Sequence, residues 1–270
     1  MEGRIHIMGI VNLTPDSFFE GSRAQGADAL ARIHRMWAEG ARVVDLGACS
    51  TRPGSAQPSL EEEWSRLEPV LQALAGKPGG DISIDTYRAE IVRRAHEVIG
   101  PFLVNDVSAG TLDAQMLPTV GRLGLPYVAM HMRGPPQTMQ GCTDYTDIVE
   151  DVLEYFRAFS LRAADAGIRE WILDPGFGFA KTVEQNYELL RRMDRLLELG
   201  RPVLAGLSRK SMIYKVLGIT PSEAMPATQV LQFAALERGA TWLRVHDVPE
   251  AVHTARLYST MYTSSPGAAK

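Results

Sequence analysis

The chain has little that would tie it to a secreted, membrane or nucleic-acid-binding class. Among 270 residues there are two cysteines, Cys49 and Cys142, too few for a disulfide framework, so a reducing cytoplasm is the expected location. Positive charge is not in excess. Lys and Arg number 28 against 32 Asp and Glu, and a net charge of −4 supplies no general field for nucleic acid. No apolar run approaches the roughly 18 residues of a membrane span. The opening "MEGRIHIMGIVN" lacks the long apolar segment of a signal peptide. No Pro/Ser-rich linker or shift of composition divides the chain, so residues 1–270 are expected to form one domain, with a frayed polar tail over 263–270.

What is present is a repeating pattern of a short apolar run, a polar or glycine-rich turn, and an amphipathic stretch. The apolar runs are "IHIMGIVN", "ARVVDLG", "DISIDT", "PFLVNDVS", "PYVAMHM", "EWILDPG", "PVLAGLS" and "TWLRVHD". Helical stretches such as "SLEEEWSRLEPVLQALAG", "RAEIVRRAHEVIG" and "SEAMPATQVLQFAALERGA" lie between them. Strands alternating with helices imply parallel pairing and right-handed crossovers. Eight such units in a chain near the ~250 residues usual for the fold predict an α/β (β/α)8 TIM barrel. An open doubly wound sheet is the alternative.

In such a barrel the chemistry lies where strands end. The runs close on Asn12, Asp45, Asp85, Asn105 with Asp106, His131, Asp174, Ser208, and Arg244 with His246. Turns favour Asp and Asn on their own account, but eight polar endings out of eight suit a pocket of convergent polar groups better. Asn12, Thr51, Arg52, Arg244 and His246 can hold an anion, because a guanidinium presents a fork of donors to phosphate oxygens. Asp85, Asn105, Asp174 and Lys210 suit the edge of a flat, nitrogen-rich heterocycle. In "DPGFGFAK", Pro175 and Gly176 turn the chain directly after Asp174, Gly178 permits close approach of a ligand, and Phe177 and Phe179 are expected to wall the ring. Phe179 as plain core is the competing reading.

These motifs resemble the dihydropteroate synthase family of pterin-binding enzymes, the folate-pathway target of sulfonamides. "MGIVNLTPDSF", "STRPG", "ISIDT", "NDVSAG", "MHMRGPPQTMQ", "DPGFGFAK", "GLSRKS" and "LRVHDV" follow in the family's order over nearly the whole chain. The resemblance implies condensation of 6-hydroxymethyl-7,8-dihydropterin pyrophosphate with 4-aminobenzoate to 7,8-dihydropteroate and pyrophosphate. It implies a pterin pocket at Asp85, Asn105, Asp174, Lys210, Met130, Gly206 and Phe179. Pyrophosphate falls to Asn12, Arg52, Arg244 and His246, with Mg2+ reaching Asn12, and 4-aminobenzoate to Thr51, Pro53 and Ser208. Asp85, Asn12, Lys210, Arg244 and His246 are then the catalytic set, acting in a dissociative displacement without a side-chain nucleophile. Cys49 has no basic neighbour in sequence to activate it for covalent chemistry. The family also implies a homodimer, for which Leu231, Phe233, Leu236, Leu257 and Tyr258 offer apolar surface. The chain departs from the family with "DSFFEGSR" and "DLGACSTRPG" in its first two loops. Three other readings remain: a pterin-binding methyltransferase domain, a non-enzymatic pterin-binding paralogue, and a phosphate-binding barrel of other chemistry.

Overall fold

The computed structural model describes residues 5–13, 22–49, 57–76, 79–134 and 138–263. Eight strands alternate with helices. The strands are β1 (His6–Asn12), β2 (Val43–Gly47), β3 (Asp81–Asp85), β4 (Leu103–Asp106), β5 (Tyr127–Met130), β6 (Trp171–Asp174), β7 (Leu204–Ala205) and β8 (Trp242–Val245). The helices are α1 (Ser22–Ala38), α2 (Leu60–Leu74), α3 (Ala89–Ile99), α4 (Met116–Leu123), α5 (Ile148–Asp165), α6 (Val183–Arg191), α7 (Ser211–Leu217), α8 (Met225–Glu237) and α9 (Val248–Thr263).

The strands pair in the order β6-β5-β4-β3-β2-β1-β8-β7, all parallel. The two ends of that order meet through a parallel bridge between Leu173 and Val203, so the sheet closes into the expected barrel. An open sheet would hold its edge strands apart. One difference lies after β7. The single helical stretch read there is preceded by a second helix, α7, which stops at Gly218 with a left-handed φ of 65°. Its seven residues, "SMIYKVL", are too few for a periodic pattern to stand out from a loop.

Successive residues of a strand face opposite sides of the sheet, and the core divides accordingly. Met8, Val43, Leu103, Val128, Ile172, Leu204 and Trp242 form one buried cluster, the apolar floor inside the barrel. The alternate residues, among them Ile7, Val44, Ile84, Val104, Tyr127, Leu173 and Leu243, belong to the large cluster shared with the helices. Continuing the floor phase toward the strand ends gives Asn12, Asp45, Asp85, Asn105, Met130, Asp174, Gly206, Ser208, Arg244 and His246. A polar layer thus stands directly on the floor.

Asp106 and His131 fall in the opposite phase. Asp106 is fully buried behind the sheet. It accepts bonds from the Ser108 amide and hydroxyl at 2.7 Å each, the Gly110 amide at 2.8 Å and the Tyr127 hydroxyl at 2.6 Å. It therefore winds the loop after β4 rather than facing a ligand. Tyr127→Phe removes one donor from this buried carboxylate. Urea denaturation should show a loss of about 1–3 kcal/mol, with substrate KM values unchanged.

Candidate active site

One guanidinium organises the first part of the polar layer. Asp45, completely buried, accepts through Oδ2 from Asn105 Nδ2 at 2.9 Å and Arg244 Nε at 2.7 Å. A terminal nitrogen of Arg244 donates to Asp85 Oδ2 at 2.7 Å and lies 2.7 Å from Asp45 Oδ2. Strands β2, β3, β4 and β8 thus each contribute one member. Burial works against the Arg244 charge, but Asp45 and Asp85 offset it and hold the group well above its ordinary value. Burial also pushes the Asp85 carboxyl up, while Arg244 pulls it back and Asp45 repels it. Two carboxylates share one cation, which leaves acceptor capacity and negative charge for an N–H edge.

Asp174 and Lys210 form the second part. Asp174 accepts the Gly176 amide at 2.8 Å through Oδ1. A side chain at Gly206 would place its Cβ 3.8 Å from Asp174 Oδ2, so glycine keeps that flank of the carboxylate clear. Lys210 Nζ stands 4.4 Å from the centre of the Phe179 ring. Burial lowers the Lys210 ammonium to about 8, opposed by Asp174. Burial raises the Asp174 carboxyl, opposed by the Gly176 bond and Lys210. Arg244 acts on both groups, which makes the two parts one site. Met130, at the end of β5, pairs in register with Asp174.

The third part carries Asn12, Ser208 and His246. Gly47 sits between Asn12 and Asp85; a Cβ there would lie 3.7 Å from Asn12 Oδ1 and 3.6 Å from Asp85 Cβ. His246 Nδ1 is 3.0 Å from Ser208 Oγ, and its backbone amide donates to the same oxygen at 3.3 Å. Burial and then Arg244 lower the His246 pKa to about 4, so at pH 7 its imidazole is neutral.

Several expectations change in detail. Arg244, read as able to hold an anion, is bonded to Asp85, read as suited to a heterocycle edge. Phe177, not Phe179, is core, with 1% exposure. Gly178, at φ 81°, makes room for the Lys210 stem, which lies 3.3 Å from its Cβ position. Burial raises the Cys49 thiol to about 11, and Sγ donates to Gln57 at 2.8 Å, so it is no nucleophile near neutral pH. Thr51, Arg52 and Pro53 lie outside the described residues, as does the tail beyond residue 263. Among the described residues no group of three or more His, Cys, Asp or Glu side chains forms a metal cage.

Arg209 was not among the expected residues. It takes a left-handed φ of 55° between Ser208 and Lys210. It grips Asp247 with two bonds, 2.9 Å from Nε and 2.8 Å from a terminal nitrogen. The loops after β7 and β8 are thereby tied together. Its only sequence signal is its place between two site residues.

The raised Asp174 carboxyl has a consequence for stability. Its folded pKa lies above the unfolded value, so its contribution is complete below the usual carboxylate range and is lost as pH rises through the folded pKa. Asp174→Asn keeps the acceptor for Gly176 but removes that loss. The variant should melt about 2–4 °C higher than wild type at pH 7, with the gap closing toward pH 4. A variant that melts lower at pH 7 would mean the carboxylate is not strained by burial.

The chain is similar to known proteins over nearly its whole length. The pterin binding enzyme family matches residues 8–246. The dihydropteroate synthase of Escherichia coli strain K12 is 40% identical over 259 residues, covering 93% of this chain and 90% of that protein. The solved structure of Xanthomonas albilineans dihydropteroate synthase with 4-aminobenzoic acid superposes with a TM-score of 0.90 at 37% identity, covering 97% of this chain and 94% of that one. The Yersinia pestis dihydropteroate synthase in complex with a sulfonamide drug also gives 0.90, at 35% identity, covering 97% and 95%. The chain belongs to the pterin-binding enzyme family and, within it, to the dihydropteroate synthases.

Proposed function

We propose that the chain works as a dihydropteroate synthase in folate biosynthesis, joining 6-hydroxymethyl-7,8-dihydropterin pyrophosphate to 4-aminobenzoate with release of pyrophosphate. The observation that carries this reading is the polar layer itself. Carboxylates at Asp85 and Asp174, an amide at Asn105 and an ammonium at Lys210 converge above an apolar floor and beside the Arg244 guanidinium. Asp174 and Asn105 receive the ring N–H groups, Lys210 donates to ring acceptors, and Met130, Gly206 and Phe179 shape the slot. Arg244, His246, Asn12 and Arg52 hold the pyrophosphate. Ser208, with Thr51 and Pro53, lies toward the 4-aminobenzoate.

The chemistry requires no side-chain nucleophile. The bond from the pterin methylene to the pyrophosphate oxygen breaks first, and the bonding pair leaves with the oxygen. Positive charge spreads from the methylene into the dihydropterin ring, where the Asp85 carboxylate stabilises it. The aromatic amine then forms the C–N bond and releases a proton to solvent. Arg244 meets the developing charge on the leaving group, with neutral His246 donating a hydrogen bond. An amide oxygen at Asn12, with no group of three or more His, Cys, Asp or Glu side chains forming a cage among the described residues, fits an Mg2+ that takes most ligands from phosphate and water. That ion, when bound, would neutralise leaving-group charge.

We also assign the protein to the cytoplasm and to a homodimer. Both cysteines are free, and among the described residues no helix is long and apolar enough to cross a membrane. Of the apolar residues expected on the dimer face, Leu236 is core at 1% exposure, but Leu257 is 64% exposed on α9. Val230 on α8 and Met261 and Tyr262 on α9 extend that surface. Light scattering at micromolar concentration should give twice the 29.7 kDa chain mass, and Leu257→Asp should shift it toward monomer. A wild-type monomer overturns the dimer.

Purified protein supplied with both substrates and Mg2+ should release pyrophosphate and form dihydropteroate. Pterin binding without product would instead mark a non-enzymatic pterin-binding protein. Calorimetry should detect weak Mg2+ binding to the free protein, and tighter binding once pyrophosphate is present. Tight binding to the free protein would contradict the substrate-borne metal.

A further inference from the structure

The turn "DPGFGFAK" after β6 is wound unusually tightly. Gly176, Gly178 and Ala180 have φ of 69°, 81° and 50°. The last carries a side chain in the left-handed region, which L-residues other than glycine rarely adopt. Something must hold such a turn in place, and the buried side chain beneath it is Lys181, 4% exposed. Its Nζ reaches His131 Nδ1 at 2.9 Å, Gly176 O at 3.0 Å and Phe179 O at 3.1 Å. Three ammonium hydrogens thus meet three convergent acceptors, and all three acceptors are neutral.

We propose that Lys181 is a positioning residue for the pterin site, pinning the turn after β6 to the end of β5. This rests on the synthase reading above. Lys181 does not belong to the ligand-facing layer. His131 is in the outward phase of β5, and its backbone amide donates to Asp174 O at 2.9 Å. The lysine therefore grips the turn from behind, at the carbonyls of Gly176 and Phe179. Those residues border the Asp174 carboxylate and the Phe179 ring that meets Lys210. Gly176 is pressed so closely to β5 that a Cβ would lie 2.1 Å from His131 O. Asn186 secures the other side by accepting the Gly178 amide at 2.7 Å.

The charges around the pair agree with this role. Burial first, then Lys181 and Arg133, drive the His131 pKa well below its ordinary value, so the imidazole is neutral and Nδ1 can accept. Burial lowers the Lys181 ammonium to about 7, opposed by Asp174 and assisted by Lys210. Tyr145 and Tyr155 complete the surroundings, their rings 6.1 and 4.8 Å from that of His131. A lysine buried against neutral partners is a poor choice for stability alone.

The test is a double-mutant cycle on the full chain with the substitutions Lys181→Met and Asp174→Asn, read as steady-state KM and as pterin affinity by fluorescence quenching. Lys181→Met should raise the KM for the pterin substrate at least tenfold and leave that for 4-aminobenzoate within twofold. In the Asp174→Asn background it should cost less than threefold, because its effect passes through the carboxylate it positions. Unchanged pterin KM, equal rises in both KM values, or costs that multiply fully in the double variant would each overturn the proposal. If Lys181→Met does not fold, His131→Leu removes the one side-chain acceptor and faces the same criteria. Wild-type protein that binds no pterin would instead overturn the synthase reading.

Discussion

Arg244 is the group on which the site depends. Its guanidinium spans two carboxylates from adjacent strands, and one of these, Asp45, is fully buried and also takes the Asn105 amide. Without the cation, two carboxylates would share a dry space, where one of them would keep its proton. With it, Asp85 is pulled back toward the ionised form against the effect of burial, and Asn105 is held in one orientation through Asp45. A buried ion pair of this kind is weak evidence for stability, since apolar side chains of similar volume often serve a fold as well. Its value lies in a carboxyl group held beside a cation, which a reactant that develops positive charge at one end and carries negative charge at the other can use.

The barrel makes this cluster possible through the period of two along its strands. The same phase that lays Val43, Leu103, Ile172 and Trp242 on the floor lifts Asp45, Asn105, Asp174 and Arg244 to the next level. The floor excludes water from below, which strengthens the polar contacts above it. The opposite phase accounts for the polar strand endings that take no part. Asp106 and His131 point behind the sheet and are consumed in holding loops.

Those loop-holding devices share a logic. Asp106 gathers donors, Lys181 gathers acceptors, and Arg209 clasps Asp247 across two loops. In each case an ionisable side chain outside the polar layer fixes a loop that follows a strand carrying one of that layer's members. All three go with a residue of left-handed φ that is not glycine: Ala109 in the turn that Asp106 winds, Ala180 beside Lys181, and Arg209 itself. Backbone strain of that kind persists where surrounding bonds over-determine it.

The sequence alone determined the architecture and most members of the polar layer that stands on the barrel floor. Eight apolar runs, each closing on a polar residue and each followed by a helical stretch, specify a parallel barrel, because no other closed arrangement buries them all. The order of "NDVSAG", "DPGFGFAK", "GLSRKS" and "LRVHDV" then marks the family. Asn105, Asp174, Lys210 and Arg244 were legible because they combine a strand end with chemistry a heterocycle and a phosphate require. Only the tertiary structure decided which charges neutralise one another. Arg244 and Asp85 are 159 positions apart, and nothing local to either foretells their 2.7 Å bond. Likewise Phe177 and Phe179 are indistinguishable in sequence, yet one fills the core and the other faces Lys210, since the turn between them sends successive side chains to opposite sides. Lys181 shows the same limit. Its neutral partners come from a strand end fifty residues away and from carbonyls that converge only when the turn is wound, so its role exists only in the folded chain.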